Sequence, residues 1–149
     1  MCWLCDNPAA TFDDYLEEVV RPVVDRYGFA VQATERDGTV IAYTVGLAEQ
    51  GREELVVTGK PPDAAHDLLQ AVLAGEEVPR AGQRCDLLVG TALWAFRVLR
   101  PEALAVAWRV HPGARALQLV WADTLGRWPW DVHRSGQRLL CDAAEARAA

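Results

Sequence analysis

The sequence predicts a single α+β domain: an antiparallel-rich sheet or partly open barrel of about six strands, with two to three helices packed on it. Three observations carry that reading. Between residues 12 and 27, apolar side chains recur at helical spacing. Asp37-Gly38, a strong hairpin signal, separates two alternating segments. From Ala116 to Ala122 both faces of an extended chain are mostly apolar, which places that strand inside a sheet rather than at its edge. A doubly wound parallel fold would need a helix between nearly every pair of strands, and the hairpin excludes this for its own pair.

The elements follow in order. Thr11 suits an N-cap, with an acid three residues on at Asp14. Phe12, Tyr15, Leu16, Val19, Val20, Val23, Val24 and Tyr27 then form the helical stripe. Pro22 lies off it and is expected to kink the helix, and Gly28 to end it. Strands are expected over residues 29–34 and 39–47. In the second, Ile41, Tyr43, Val45 and Leu47 share one face, while Val40, Ala42 and Thr44 share the other. Tyr43 is expected in the core with its hydroxyl tethered. Glu54 to Thr58 reads as a third strand, closed by Gly59. Pro61-Pro62-Asp63 opens a second helix, with Ala65, Leu68, Leu69, Val72 and Leu73 on its buried face and Gly75 at its end.

A polar loop over 76–84 leads to strands at 85–89 and 93–99, with Gly90-Thr91 near the turn between them. Trp94, Phe96 and Val98 alternate on one side of the second of these. Residues 101–109 stay ambiguous. Pro101-Glu102 suits a helix start and Leu104 and Trp108 share a helical face, while Ala105 to Val110 also fits a strand. After the break at His111-Pro112-Gly113 comes the innermost strand. Leu117, Leu119 and Trp121 fall on one face; Ala116, Gln118, Val120 and Ala122 fall on the other. Asp123 and Gly126 occupy the first and fourth positions of a type I turn. Pro129 biases Trp128 towards an extended conformation, so Trp128 and Trp130 point roughly the same way.

Bulk properties bound the partners. The 149 residues fit one domain, and a chain of that size buries roughly 70% of its extended surface without staples. Residues 1–10 read as an N-terminal arm, and the Ala-rich stretch 143–149 as a frayed tail. A net charge of −6 with no basic cluster argues against nucleic acid or an anionic membrane surface as the main partner. Of the fifteen basic residues only Lys60 is lysine, which we read as Ala-, Val- and Arg-rich coding rather than function. No apolar run approaches a membrane span, and the first residues lack a signal-like pattern. A cytoplasmic location is therefore expected, and there four cysteines favour thiols or metal ligands over disulfides.

Several motifs stand in a recognisable order: C-W-x-C-D-x-P at the start, A-Y-T-V-G-L at Ala42 to Leu47 and E-L-V-V-T-G at Glu54 to Gly59. A-L-Q-L-V-W-A-D-x-x-G-R-W-P-W follows from Ala116, and G-Q at Gly136-Gln137. In these motifs the chain resembles the bacterial domain-of-unknown-function family 4262 over almost its full length. The resemblance implies a single cytoplasmic bacterial domain and supplies no activity, cofactor or catalytic residue. It also implies a glycine where this chain has Cys141.

The candidate sites come from residue chemistry. Cys2 and Cys5 form a CxxC, a spacing that lets two thiolates hold one soft metal, zinc or iron, or lets one thiol resolve the other's disulfide. Cys85, Cys141, His111 and His133 are the candidates to complete a four-ligand set. Inert, metal-bound and redox-active cysteines all stay open. Trp121, Trp128 and Trp130 suit a pocket for a flat or apolar ligand, or a plug for one end of the sheet. Asp123 joins the ligand-binding candidates but suits turn formation better than general-base work, and Arg127 suits an acidic ligand beside Trp128. His66 is expected to be solvated and His111 to lie in a loop. His133, after the W-P-W-D stretch, and Asp131 are the proton carriers if one is needed. No P-loop, GxGxxG, GxSxG or HExxH pattern is present. The reading that follows is a small binding module for a small molecule or protein, with a tryptophan-lined pocket and an arm fastened through the CxxC. The alternative is a metal- or thiol-dependent enzyme using Cys2 and Cys5 with His133 or Asp131.

Overall fold

The computed structural model describes residues 2–86 and 92–149. Its strands are β1 (Ala30–Arg36), β2 (Thr39–Val45), β3 (Glu54–Thr58), β4 (Gln83–Asp86), β5 (Ala92–Arg97) and β6 (Ala116–Trp121). They form one open sheet in the order β1-β2-β3-β6-β5-β4. All neighbours are antiparallel except β3 and β6, which run parallel. The sheet does not close into a barrel. The expected strand over 87–89 and the turn at Gly90-Thr91 lie outside the described residues.

The innermost strand sits where its two apolar faces require, between β3 and β5. Leu117 and Leu119 pack with Leu55, Val57, Leu93 and Ala95 beneath α4 (Pro62–Ala74), which contributes Ala65, Leu69 and Val72. On the opposite face, Ile41, Tyr43, Val45 and Val56 pack against Val20 and Val24 of the N-terminal helical run and against Val106 and Ala107 of a later helix. Beside them Phe96, Val120, Cys141 and Ala146 form a third cluster. The ambiguous segment resolves into a 3₁₀ turn at Pro101–Ala103 and a helix at Ala105–Val110. The helix buries Val106 and Ala107, and its Val106 amide donates to the Tyr43 hydroxyl (3.2 Å), which tethers that core phenol.

The N-terminal helical run differs instructively from the stripe. A short α1 (Trp3–Asp6) precedes it. It begins at α2 (Phe12–Tyr15), whose Thr11 cap and Asp14 exchange both bonds of a capping box. It then passes through a π turn at Leu16–Val20 into α3 (Arg21–Tyr27). The Arg21 amide reaches back to the Leu16 carbonyl, a wider ring that makes room for Pro22. The extra residue rotates the face, so Val20 and Val24 are buried while Val23 and Tyr27 turn outward, Tyr27 to 62% exposure. Gly28 ends the run in the left-handed conformation. The helix at Ala105–Val110 is α5. Residues 143–148, read as frayed, form α6 instead, because Asp142 caps the Ala144 and Glu145 amides and Ala146 is fully buried.

Leu47 also departs from the alternation. It leaves the Tyr43 face and packs with Ala42 and Leu55. The strand ends at Val45, and Gly46 takes φ +110°, where a Cβ would sit 2.7 Å from Val24 Cγ1. Glu54 holds this bend. Its buried carboxylate accepts from the Thr44 hydroxyl (2.6 Å) through one oxygen and from the Gly46 and Ala48 amides (2.9 and 3.0 Å) through the other. The Thr44 hydroxyl in turn accepts from the Leu55 amide (2.8 Å). Burial pushes the Glu54 carboxyl above its ordinary value of 4.5, and the bonds from Thr44, Ala48, Gly46 and Leu47 pull the other way.

Glu54→Ala orphans these buried donors and is expected to cost about 3 kcal/mol or more in denaturant unfolding. Glu54→Gln keeps one acceptor for both amides and should cost far less. The native state binds this proton more tightly than the unfolded chain, so Glu54 withdraws stability as pH rises from 4.5 through its folded pKa. The advantage of wild type over Glu54→Gln should therefore shrink with rising pH across that window. A constant difference would show that the carboxyl does not titrate there.

Candidate functional site

The tryptophan segment divides at the end of the sheet. Trp121 closes β6 on the α4 side; Trp128 and Trp130 pack on the other side with Phe96, Trp94 and Leu139. The chain reverses at a turn in which the Gly126 amide donates to the Asp123 carbonyl (2.9 Å). Asp123 is spent on that turn. Its carboxylate accepts from the Leu125 and Arg127 amides and from Arg127 Nε, each at 2.9 Å. The Arg127 amide bond is the main cause holding the Asp123 carboxyl below its usual value. The Arg127 guanidinium is thus paired within the turn through its Nε.

Trp128 and Trp130 do point the same way, as their rings stack with centroids 5.5 Å apart and planes 7° from parallel. Trp130 meets Phe96 edge-on at 6.3 Å and Phe96 lies against Trp94 at 5.9 Å, so these indoles plug the sheet end over α6. Asp131 Oδ2 accepts from the Trp128 amide (3.1 Å) and fixes the 3₁₀ turn at Pro129–Asp131. His133 follows in an exposed stretch.

Trp121 is set differently. Its indole Nε1 donates to the Thr58 carbonyl (2.9 Å), and its backbone amide and carbonyl pair with both ends of the Gln137 amide (3.1 and 2.6 Å). The ring therefore has a fixed plane. Lys60 Nζ stands over it, 4.1 Å from the centroid. Partial burial pulls the Lys60 amine below its usual value. Among the described residues Lys60 has no carboxylate within ion-pair distance. Lys60, Arg84, Ala92, Trp121, Asp123 and Trp128 line an open cleft of about 610 Å³. Of the expected ligand-binding residues, Trp121, Asp123 and Trp128 reach this cleft. Arg127 is absent from its lining, and Trp130 faces the aromatic plug.

The N-terminal arm lies elsewhere. The Trp3 ring packs on Tyr15 (5.8 Å), and the Tyr15 hydroxyl donates to Gln32 of β1 (2.8 Å). The arm thus belongs to the β1 half of the sheet, and Trp121 to the other half. Cys2 and Cys5 are joined as a disulfide, not free thiols or metal ligands. The first turn of α1 brings their Cα atoms to 5.1 Å, which lets the bond close locally. Cys85 is buried under α4, whereas Cys141 is buried on the opposite face, so the sheet separates them. His111 caps the end of α5 and is exposed. Among the described residues no group of three or more His, Cys, Asp or Glu side chains could hold a metal ion. The sequence reading missed Lys60, set aside as composition; its signal was position, two residues beyond the end of a buried strand.

The family model for a domain of unknown function, DUF4262, matches residues 23–135. The chain belongs to the DUF4262 family. The match runs from within α3 to just past the tryptophan turn and leaves out the Cys2–Cys5 arm and Gly136-Gln137. No curated protein and no solved structure matches the chain. Among the described residues of this DUF4262 chain, no helix is long and apolar enough to cross a membrane.

Thiol counting tests the cysteine assignment. Denatured without reductant, the protein should alkylate at Cys85 and Cys141 only, and at all four cysteines after reduction. Modification of Cys2 and Cys5 without reductant would contradict the pairing. In the native state Cys141, its thiol pushed up to about 11 by burial, should stay unmodified near neutral pH.

Proposed function

We propose that this DUF4262 domain is a small-molecule binding module whose ligand is a flat anion held by the Lys60 ammonium where it stands over Trp121. The observation that carries the reading is the Lys60–Trp121 pair: an ammonium 4.1 Å from the centre of an indole whose own polar groups are all engaged. The locked indole holds the ammonium in place, so little order is lost on binding, and the partly desolvated ammonium offers a charge to an oxyanion. Arg84 lines the same cleft, with its guanidinium held at 3.0 Å from Asp86. The cleft stands beyond the carboxyl ends of β3 and β6, the parallel pair, where strand ends feed loops rather than core. Its volume suits a ligand of one or two rings. Among the described residues the alternative of a thiol- or metal-dependent enzyme has no converging group behind it: the Cys2–Cys5 arm packs on α2, and Asp131 is engaged in its own turn.

The test is tryptophan fluorescence with benzoate and 2-naphthoate against their neutral amides. Saturable quenching by the carboxylates, weaker for the amides, is expected. Lys60→Ala should weaken carboxylate binding by about tenfold, the scale of one hydrogen bond to a charged group removed. Equal quenching by carboxylate and amide, or binding unchanged in Lys60→Ala, would defeat the proposal.

A further inference from the structure

A second cleft lies at the opposite end of the parallel strands. Leu55 and Leu117, paired across β3 and β6 and almost wholly buried, form part of its floor. Its walls come from the loop before β3, with Gly51, Arg52 and Glu53, and from the segment Val78–Ala81 after α4; Arg97 of β5 completes them. The volume is about 360 Å³.

Charge sets this place apart. Three arginines, Arg52, Arg80 and Arg97, line it with one acid, Glu53, in a chain whose net charge is −6. Arg97 lies 3.5 Å from Glu53, a loose contact with Arg97 more than half exposed. Among the described residues neither Arg52 nor Arg80 has a carboxylate within 4 Å, although Glu76 and Glu77 stand nearby beyond Arg80. Backbone geometry keeps both arginines at the cleft. The Arg52 amide donates to the Leu47 carbonyl (3.1 Å), and the Arg80 carbonyl accepts from Gln83 (3.1 Å) immediately after the buried Pro79. Like charges gathered around an apolar floor repel one another unless an anion joins them. Arginine's planar fork also matches the oxyanions of phosphates and carboxylates.

We infer that this cleft is a second binding site, one that takes a small organic phosphate or carboxylate anion carrying an apolar group. The oxyanion sits among Arg52, Arg80 and Arg97, and the apolar part rests on Leu55, Leu117 and Val78. This site is distinct from the Trp121 cleft and stands whether or not that one binds anything. The two lie at opposite ends of β3 and β6.

Methyl and amide NMR titration of the full chain tests it, with phenyl phosphate as probe and with inorganic phosphate and phenol as its separate halves. Phenyl phosphate should saturate, shifting Leu55, Leu117, Val78 and the Gly51 amide, and should bind more tightly than either half. Raising salt should weaken it. Arg52→Ala/Arg80→Ala should lose at least about tenfold in affinity, and Lys60→Ala should lose none. The single Arg52→Gln and Arg80→Gln variants, expected to lose less each, serve if the double variant melts early. Absence of saturation, shifts confined to the Trp121 end, or an affinity unchanged in the arginine variants would overturn the inference.

Discussion

The architecture depends on two buried polar side chains, one in each of the two strands that run parallel. Thr58 of β3 and Gln118 of β6 are fully buried on the same face of the sheet. Neither is left unpaired, because the segment 137–140 crosses that face and supplies its backbone. The Thr58 hydroxyl donates to the Arg138 carbonyl and accepts from the Arg138 amide, both at 2.9 Å. Gln118 donates to the same carbonyl (2.8 Å) and accepts from the Leu140 amide (2.7 Å). An unpaired buried amide would cost about 1–3 kcal/mol, so strand and strap require one another. Among the described residues no buried side-chain nitrogen or oxygen lacks a partner.

That fastening places Trp121. Gln137, one residue before Arg138, pairs with the Trp121 backbone, and Thr58 offers its carbonyl to the indole. Gly59 lets the strap come close, because a Cβ there would run into the Gly136 carbonyl, and its φ of +81° suits glycine besides. Gly59 and Gly136-Gln137, which stand far apart in the sequence, are thus two sides of one contact. The same parallel pair of strands separates two clefts, an indole with an ammonium at one end and a group of guanidiniums at the other.

Much of the fold was legible because burial leaves a periodic trace. The two apolar faces of Ala116 to Val120 announced an inner strand, Asp37-Gly38 announced a hairpin, and Thr11 with Asp14 announced a helix start. The trace fails where geometry departs from a fixed period. The π turn before Pro22 shifts the helical face by a residue, and Gly46 swings Leu47 to the other side of the sheet. The candidate site was legible only in part. Alternation placed Trp121 opposite Val120, but the turn after it carries Trp128 and Trp130 across the sheet end, which no spacing rule reveals. The roles of Glu54, Thr58 and Gln118 left no trace in the local pattern, because their partners lie 6 to 80 residues away. The cysteine pair misled because an i, i+3 spacing suits a shared metal and a local disulfide equally, and the compartment argument chose between them without geometry.

Hydrogen exchange of the native protein, read residue by residue, tests the strap directly. If segment 137–140 is part of the sheet's polar fastening, the Arg138 and Leu140 amides and the Trp121 indole N–H should exchange as slowly as the β3 and β6 amides. Fast exchange at those three positions, with β3 and β6 still protected, would show that the strap is loose and that Trp121 is not held as described.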